Sequence, residues 1–165
     1  MYVIQHKRQL ERIREMITLR KNEQTLEVFY HDPKTGELWK SFFPKRTESD
    51  SGPKLLRPDP LPESLEIQLE LCLNSNVNAD AIGLAIEYST RPDAWDEILT
   101  TLEQNGKKYL RTNFFTFINK LGILNPTQAF KDIEINQKPI HISKPELLML
   151  SKRAKLLKLK RLFWF

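Results

Sequence analysis

One cysteine, three histidines and five glycines are all that 165 residues contain of three chemically decisive residue types, and each scarcity removes a class of function. Cys72 has no partner for an internal disulfide. It sits in a leucine-rich helical pattern, where a thiol behaves as a small core hydrophobe, and a reducing, cytoplasmic setting is expected. His6, His31 and His141 stand apart from one another, so no zinc-ligand spacing exists and neither metal nor cofactor is expected. The glycines fall in no GxGxxG, GxxxxGK(S/T) or GxSxG pattern, which leaves no phosphate-cradling loop and no serine elbow. His31 beside Asp32 is the one pair that invites catalysis, yet Asp before Pro33 is turn chemistry and no catalytic companion accompanies it. Long apolar runs are also missing. Met1 to Arg20 turns charged within a few residues, so neither a signal peptide nor a transmembrane segment is expected.

What the chain has instead is charge sorted by position. The net charge is +5, but Lys144 to Phe165 alone carries +6, leaving −1 for the other 143 residues. Between Asp59 and Gln104 ten acids face the single base Arg91, a local net of −9. Such asymmetry points to a charge-complementary partner or to self-association of acid with base.

Hydrophobic periodicity divides the chain into an α+β architecture read as one domain: helix, hairpin and proline-rich loop over 1–62, a helical region over 63–143 and a basic amphipathic helix over 144–165. Leu10, Ile13, Met16 and Ile17 predict a first helix over His6 to Leu19. Thr25 to Tyr30 and Leu38 to Phe43, joined by His31 to Gly36 and closed by Pro44, predict a hairpin. Lys45 to Pro62, with four prolines and Gly52, reads as an extended loop. Antiparallel helices follow: one with Leu65, Leu69, Cys72 and Leu73 inward and Glu63, Glu66 and Glu70 outward, then one over Ala79 to Tyr88 carrying Ile82, Ala85 and Ile86. A third opens on a capping box at Thr90 and buries Trp95, Ile98, Leu99 and Leu102. A fourth spans Lys107 to Leu121 with Phe114, Phe117 and Ile118 inward. A short helix from Asn125, an irregular stretch over Asn136 to Ile142, and a last helix opened by the Ser143/Glu146 capping box complete the chain.

Two surfaces stand out. Glu63, Glu66 and Glu70, joined by Asp93, Asp96 and Glu97, extend a negative field over adjacent helices, which steers basic partners. The last helix places Leu147, Leu150, Ala154 and Leu157 on a core face, with Lys152, Lys155, Lys158 and Arg161 winding around it and Leu162 to Phe165 too apolar to stay in water. Basic residues with Trp and Phe also mark interfacial helices.

Tyr30, Asp32 and Pro33, then Gly36 and Trp39, then Pro44, Gly52 and Pro53 resemble a pattern in immunity proteins of bacterial polymorphic-toxin systems. The resemblance covers Leu26 to Leu56, with the glycine-rich turn reduced to Asp50-Ser51-Gly52. It implies a non-catalytic antitoxin-like protein that neutralises a cognate toxin by direct binding, and the acidic segment suits a toxin with a basic surface. The alternatives are a nucleic-acid binder using the basic tail and a homo-oligomeric structural protein joining acid to tail.

Overall fold

A computed structural model describes residues 1–47, 49–135 and 142–163. Helix α1 (His6–Arg14) leads into a four-stranded antiparallel sheet of β1 (Ile17–Asn22), β2 (Glu27–His31), β3 (Leu38–Phe42) and β4 (Leu55–Pro58), in the order β1-β2-β3-β4. Helices α2 (Leu65–Leu73), α3 (Asn78–Tyr88), α4 (Trp95–Asn105), α5 (Arg111–Lys120), α6 (Pro126–Ile135) and α7 (Lys144–Phe163) follow. The fold is α+β, as the periodicity predicts.

The sheet is larger than a lone hairpin, for two reasons. The first helix stops at Arg14, not Leu19, because the β-branched Ile17-Thr18 segment pairs with β2 across a turn in which the Asn22 side chain accepts from the Gln24 and Thr25 amides. Ile17 and Leu10, expected on the buried stripe, are exposed, while Gln9 is buried and donates to the carbonyls of Val3 and Lys54. Second, the proline-rich loop contains a strand. Prolines 53 and 58 bracket residues 54–57 without interrupting them, and Leu55 and Leu56 bury opposite faces against β3.

Pairing assigns the hairpin faces. Tyr30 opposite Trp39, and Ser41 opposite Leu56, face α1, where Met16, Tyr30, Trp39 and Leu56 form a small cluster. Phe42 and Leu55 point the other way into the main core, which runs from Tyr2 through every inward residue named for α2, α4, α5 and α7. On that second face cations and rings alternate: Arg20 lies 4.1 Å from the Phe29 ring, Lys40 5.1 Å from that of Phe42, and Arg57 5.1 Å from the same ring.

In the helical half, α3 buries Ala81, Leu84, Ala85 and Tyr88 rather than centring on Ile82 and Ile86, which are half-buried. Gly83 explains the rotation: a Cβ there would overlap the Tyr2 ring, so α3 turns its glycine face to the N-terminal segment. The Thr90 capping box does not form. Its hydroxyl donates backward to the Glu87 carbonyl, and a 3-10 turn over Pro92–Ala94 starts the next helix instead. The Ser143 box does form, with Glu146 accepting from the Ser143 amide at 2.8 Å. The irregular stretch expected over Asn136 to Ile142 lies, but for Ile142, outside the described residues, as do Trp164 and Phe165.

Candidate functional site

The hairpin residues that carry the resemblance build the fold. Asp32 is buried; its carboxylate accepts from the Lys34 amide at 2.9 Å and from Arg12 at 2.6 Å, and Gly36 takes a φ of 75° to close the turn. The Lys34 amide, followed by the Arg12 charge, holds the Asp32 carboxyl below the ordinary carboxylate range. Trp39 is buried under Arg12, whose guanidinium lies 5.0 Å from the ring centroid. Tyr30 is buried beside Trp39, and its hydroxyl meets that of Ser41 at 3.2 Å. Gly52, with a φ of 62°, packs on Lys45 in the loop that delivers Pro53 to β4.

The acidic segment divides into acids with a cationic partner inside the molecule and acids without one. Arg57, buried, binds Glu87 through Nε at 2.9 Å and Nη2 at 3.0 Å and reaches Asp59 at 2.9 Å, while the Tyr2 hydroxyl donates to Glu87 at 2.7 Å. Asp80 pairs with the Met1 ammonium and accepts from Ser75. Arg153 on α7 binds Asp96 at 2.5 Å and Glu103 at 2.9 Å on α4. These contacts engage five of the ten acids. Among the described residues, no ion pair engages Glu63, Glu66, Glu70, Asp93 or Glu97, and all five are exposed.

The six acids singled out by sequence therefore do not form one surface of equivalent charges. On α4, Asp96, Thr100 and Glu103 turn toward Arg153, whereas Asn105 donates to Glu66 of α2 at 2.9 Å. Asp93 and Asp96 instead line a groove of about 210 Å³ with Glu146, Ile142 and Met149 at the head of α7. The face of α2 is the denser site. Glu63, Glu66 and Glu70 share it with Ile67 and Leu71, both about half exposed, an apolar pair that the sequence reading passed over although its i, i+4 spacing among the glutamates was legible. Beneath lies Tyr109, buried, its phenol pushed up to about 12 by desolvation and then by the charges of Glu66 and Glu70.

Such a face joins charge to apolar surface. Among the described residues no three His, Cys, Asp or Glu side chains group as a metal site. A second concavity, of about 240 Å³, lies between the sheet and α3, where Lys40 pairs with Glu27 at 2.7 Å and Arg91 stacks on Tyr88. Glu87, which also lines it, is held by Arg57.

No family model, curated protein or solved structure matches the chain. The immunity-protein resemblance thus rests on the hairpin residues alone.

Proposed function

We propose that the chain is a non-catalytic, antitoxin-like protein that neutralises a basic toxin partner by direct binding, with the exposed face of α2 as the centre of its interface. One observation carries this reading: where half of the acidic segment is matched by internal cations, Glu63, Glu66 and Glu70 are left exposed beside Ile67 and Leu71. Apolar anchors flanked on one side by like charges make a face that recruits by field and holds by desolvation. Asp93 and Glu97 extend the field along the start of α4. The hairpin resemblance supplies the class of partner, and the α2 face supplies the place.

The test is growth rescue. The protein encoded beside this one is expressed alone and then together with the chain or with its Glu66→Lys, Glu70→Lys variant. The expected result is toxicity relieved by the chain and not by the variant, although the variant keeps the parent's circular dichroism and melting temperature. A neighbour that is harmless, or a variant that rescues as well as the parent, contradicts the reading.

A further inference from the structure

Helix α7 is apolar on two sides. Its inner side, Leu147, Leu150, Ala154 and Leu157, packs into the main core. Around the helix at 100° per residue, Leu148, Leu159, Phe163, Leu156 and Met149 occupy a separate outer arc about 100° wide, with Lys152 inside it and Lys155 and Lys160 at its borders. Every one of these outer residues is exposed, Phe163 at 69%. Periodicity read for one face hides this second stripe, because both stripes draw on the same leucine-rich run.

Three other bases of α7 are tied down. Arg153 holds Asp96 and Glu103, Lys158 donates to Asn119 at 2.7 Å, and Arg161 is buried with its guanidinium donating to the Tyr109 carbonyl at 3.0 Å. What faces outward along the middle of the helix is a ridge of leucines with three lysines; the acids Asp93, Asp96 and Glu146 border it only at Met149, and Glu103 only in the groove beside Leu156. Its 20-residue helix is about 30 Å long, and no described helix is long and apolar enough to cross a membrane.

We propose that the outer face of α7 is an interfacial binding surface for anionic lipid, with α7 lying in the plane of the headgroups. Three features select this occupant. Lys152, Lys155 and Lys160 meet their own copies in any α7-to-α7 pairing, which disfavours that pairing and favours an anionic occupant. The ridge has no deep pocket beside it: the groove at Glu103, Arg153, Leu156, Leu157 and Lys160 measures about 60 Å³ and the one at Met149 about 210 Å³, both below the roughly 300 Å³ at which anchoring pockets begin. A fluid surface needs no pocket; it needs leucine and phenylalanine to enter the acyl boundary while lysine stems snorkel back to the phosphates.

The experiment is co-sedimentation of the full chain with vesicles of phosphatidylcholine alone or of phosphatidylcholine and phosphatidylglycerol in equal parts. Binding is expected to the anionic vesicles, weakly if at all to the neutral ones, and to fall with salt. Leu156→Gln with Leu159→Gln is expected to reduce it about tenfold or more at unchanged circular dichroism. Lys152→Glu with Lys155→Glu should do the same, while Lys7→Glu with Lys21→Glu, an equal change of net charge on exposed residues elsewhere, should leave most binding intact. Equal loss in the two charge variants, indifference to the leucine pair, or no vesicle binding at low salt would overturn the assignment. In the last case, retention of an acidic amphipathic peptide by the same face would give it to a protein helix.

Discussion

Asp32 shows how a residue that looks chemical serves the fold. Its carboxylate satisfies the turn amide of Lys34 and pairs with Arg12, which in turn covers Trp39. Because its pKa is depressed in the folded chain, the stabilisation is present above the unfolded value, about 3.9, and is lost as pH falls through the folded value. Asp32→Asn should therefore lower the urea midpoint at neutral pH, and the gap to the parent should close as both are titrated into acid. A gap that stays constant through the acid range would contradict the linkage. Cys72 makes a second case at this scale. Burial pushes its thiol up to about 12, so a disulfide reagent should label it only in denaturant. Native labelling at the rate of a free thiol would contradict its place in the core.

At the scale of elements, Gly83 separates propensity from packing. Replacing glycine by alanine inside a helix ordinarily stabilises by about 0.5–1 kcal/mol. Here the new methyl meets the Tyr2 ring, and overpacking of this kind costs about 1–3 kcal/mol, so the packing term wins and Gly83→Ala should destabilise. A rise in melting temperature would show that Tyr2 yields freely. The same contest between local and tertiary preference decides what was legible. The stripes of α2, α4 and α5 were read correctly because Leu69, Ile98 and Phe117 each face one large core. The end of α1 was misread because Met16 and Ile17 continue a helical period into a segment that β2 claims for the sheet. Strand β4 is masked in the sequence by Pro53 before it and Pro58 at its end, since a four-residue strand leaves little signal of its own.

For the whole molecule, the decisive property is how charge is distributed after folding. The excess of acid over Asp59 to Gln104 was plain in the sequence, but which acids remain available was not. That depended on Arg57, Arg153 and the Met1 ammonium arriving from distant positions. Asp96 on α4, expected with the others to bind a partner, pairs with Arg153 of α7. Glu66 and Glu70 do not share that fate. The two outward surfaces that result have opposite sign: acid with Ile67 and Leu71 on α2, base with a leucine ridge on α7. A molecule so divided can hold a basic partner on one face while the other rests on an anionic surface.

Recruitment of a partner by the charge of the α2 face, as proposed, is read out in the association rate. With the toxic neighbour in hand, the rate should fall about tenfold or more as salt is raised from low to physiological strength. For Glu66→Lys, Glu70→Lys it should be slower and nearly flat with salt. Equal rates for parent and variant at low salt would place the interface elsewhere on the molecule.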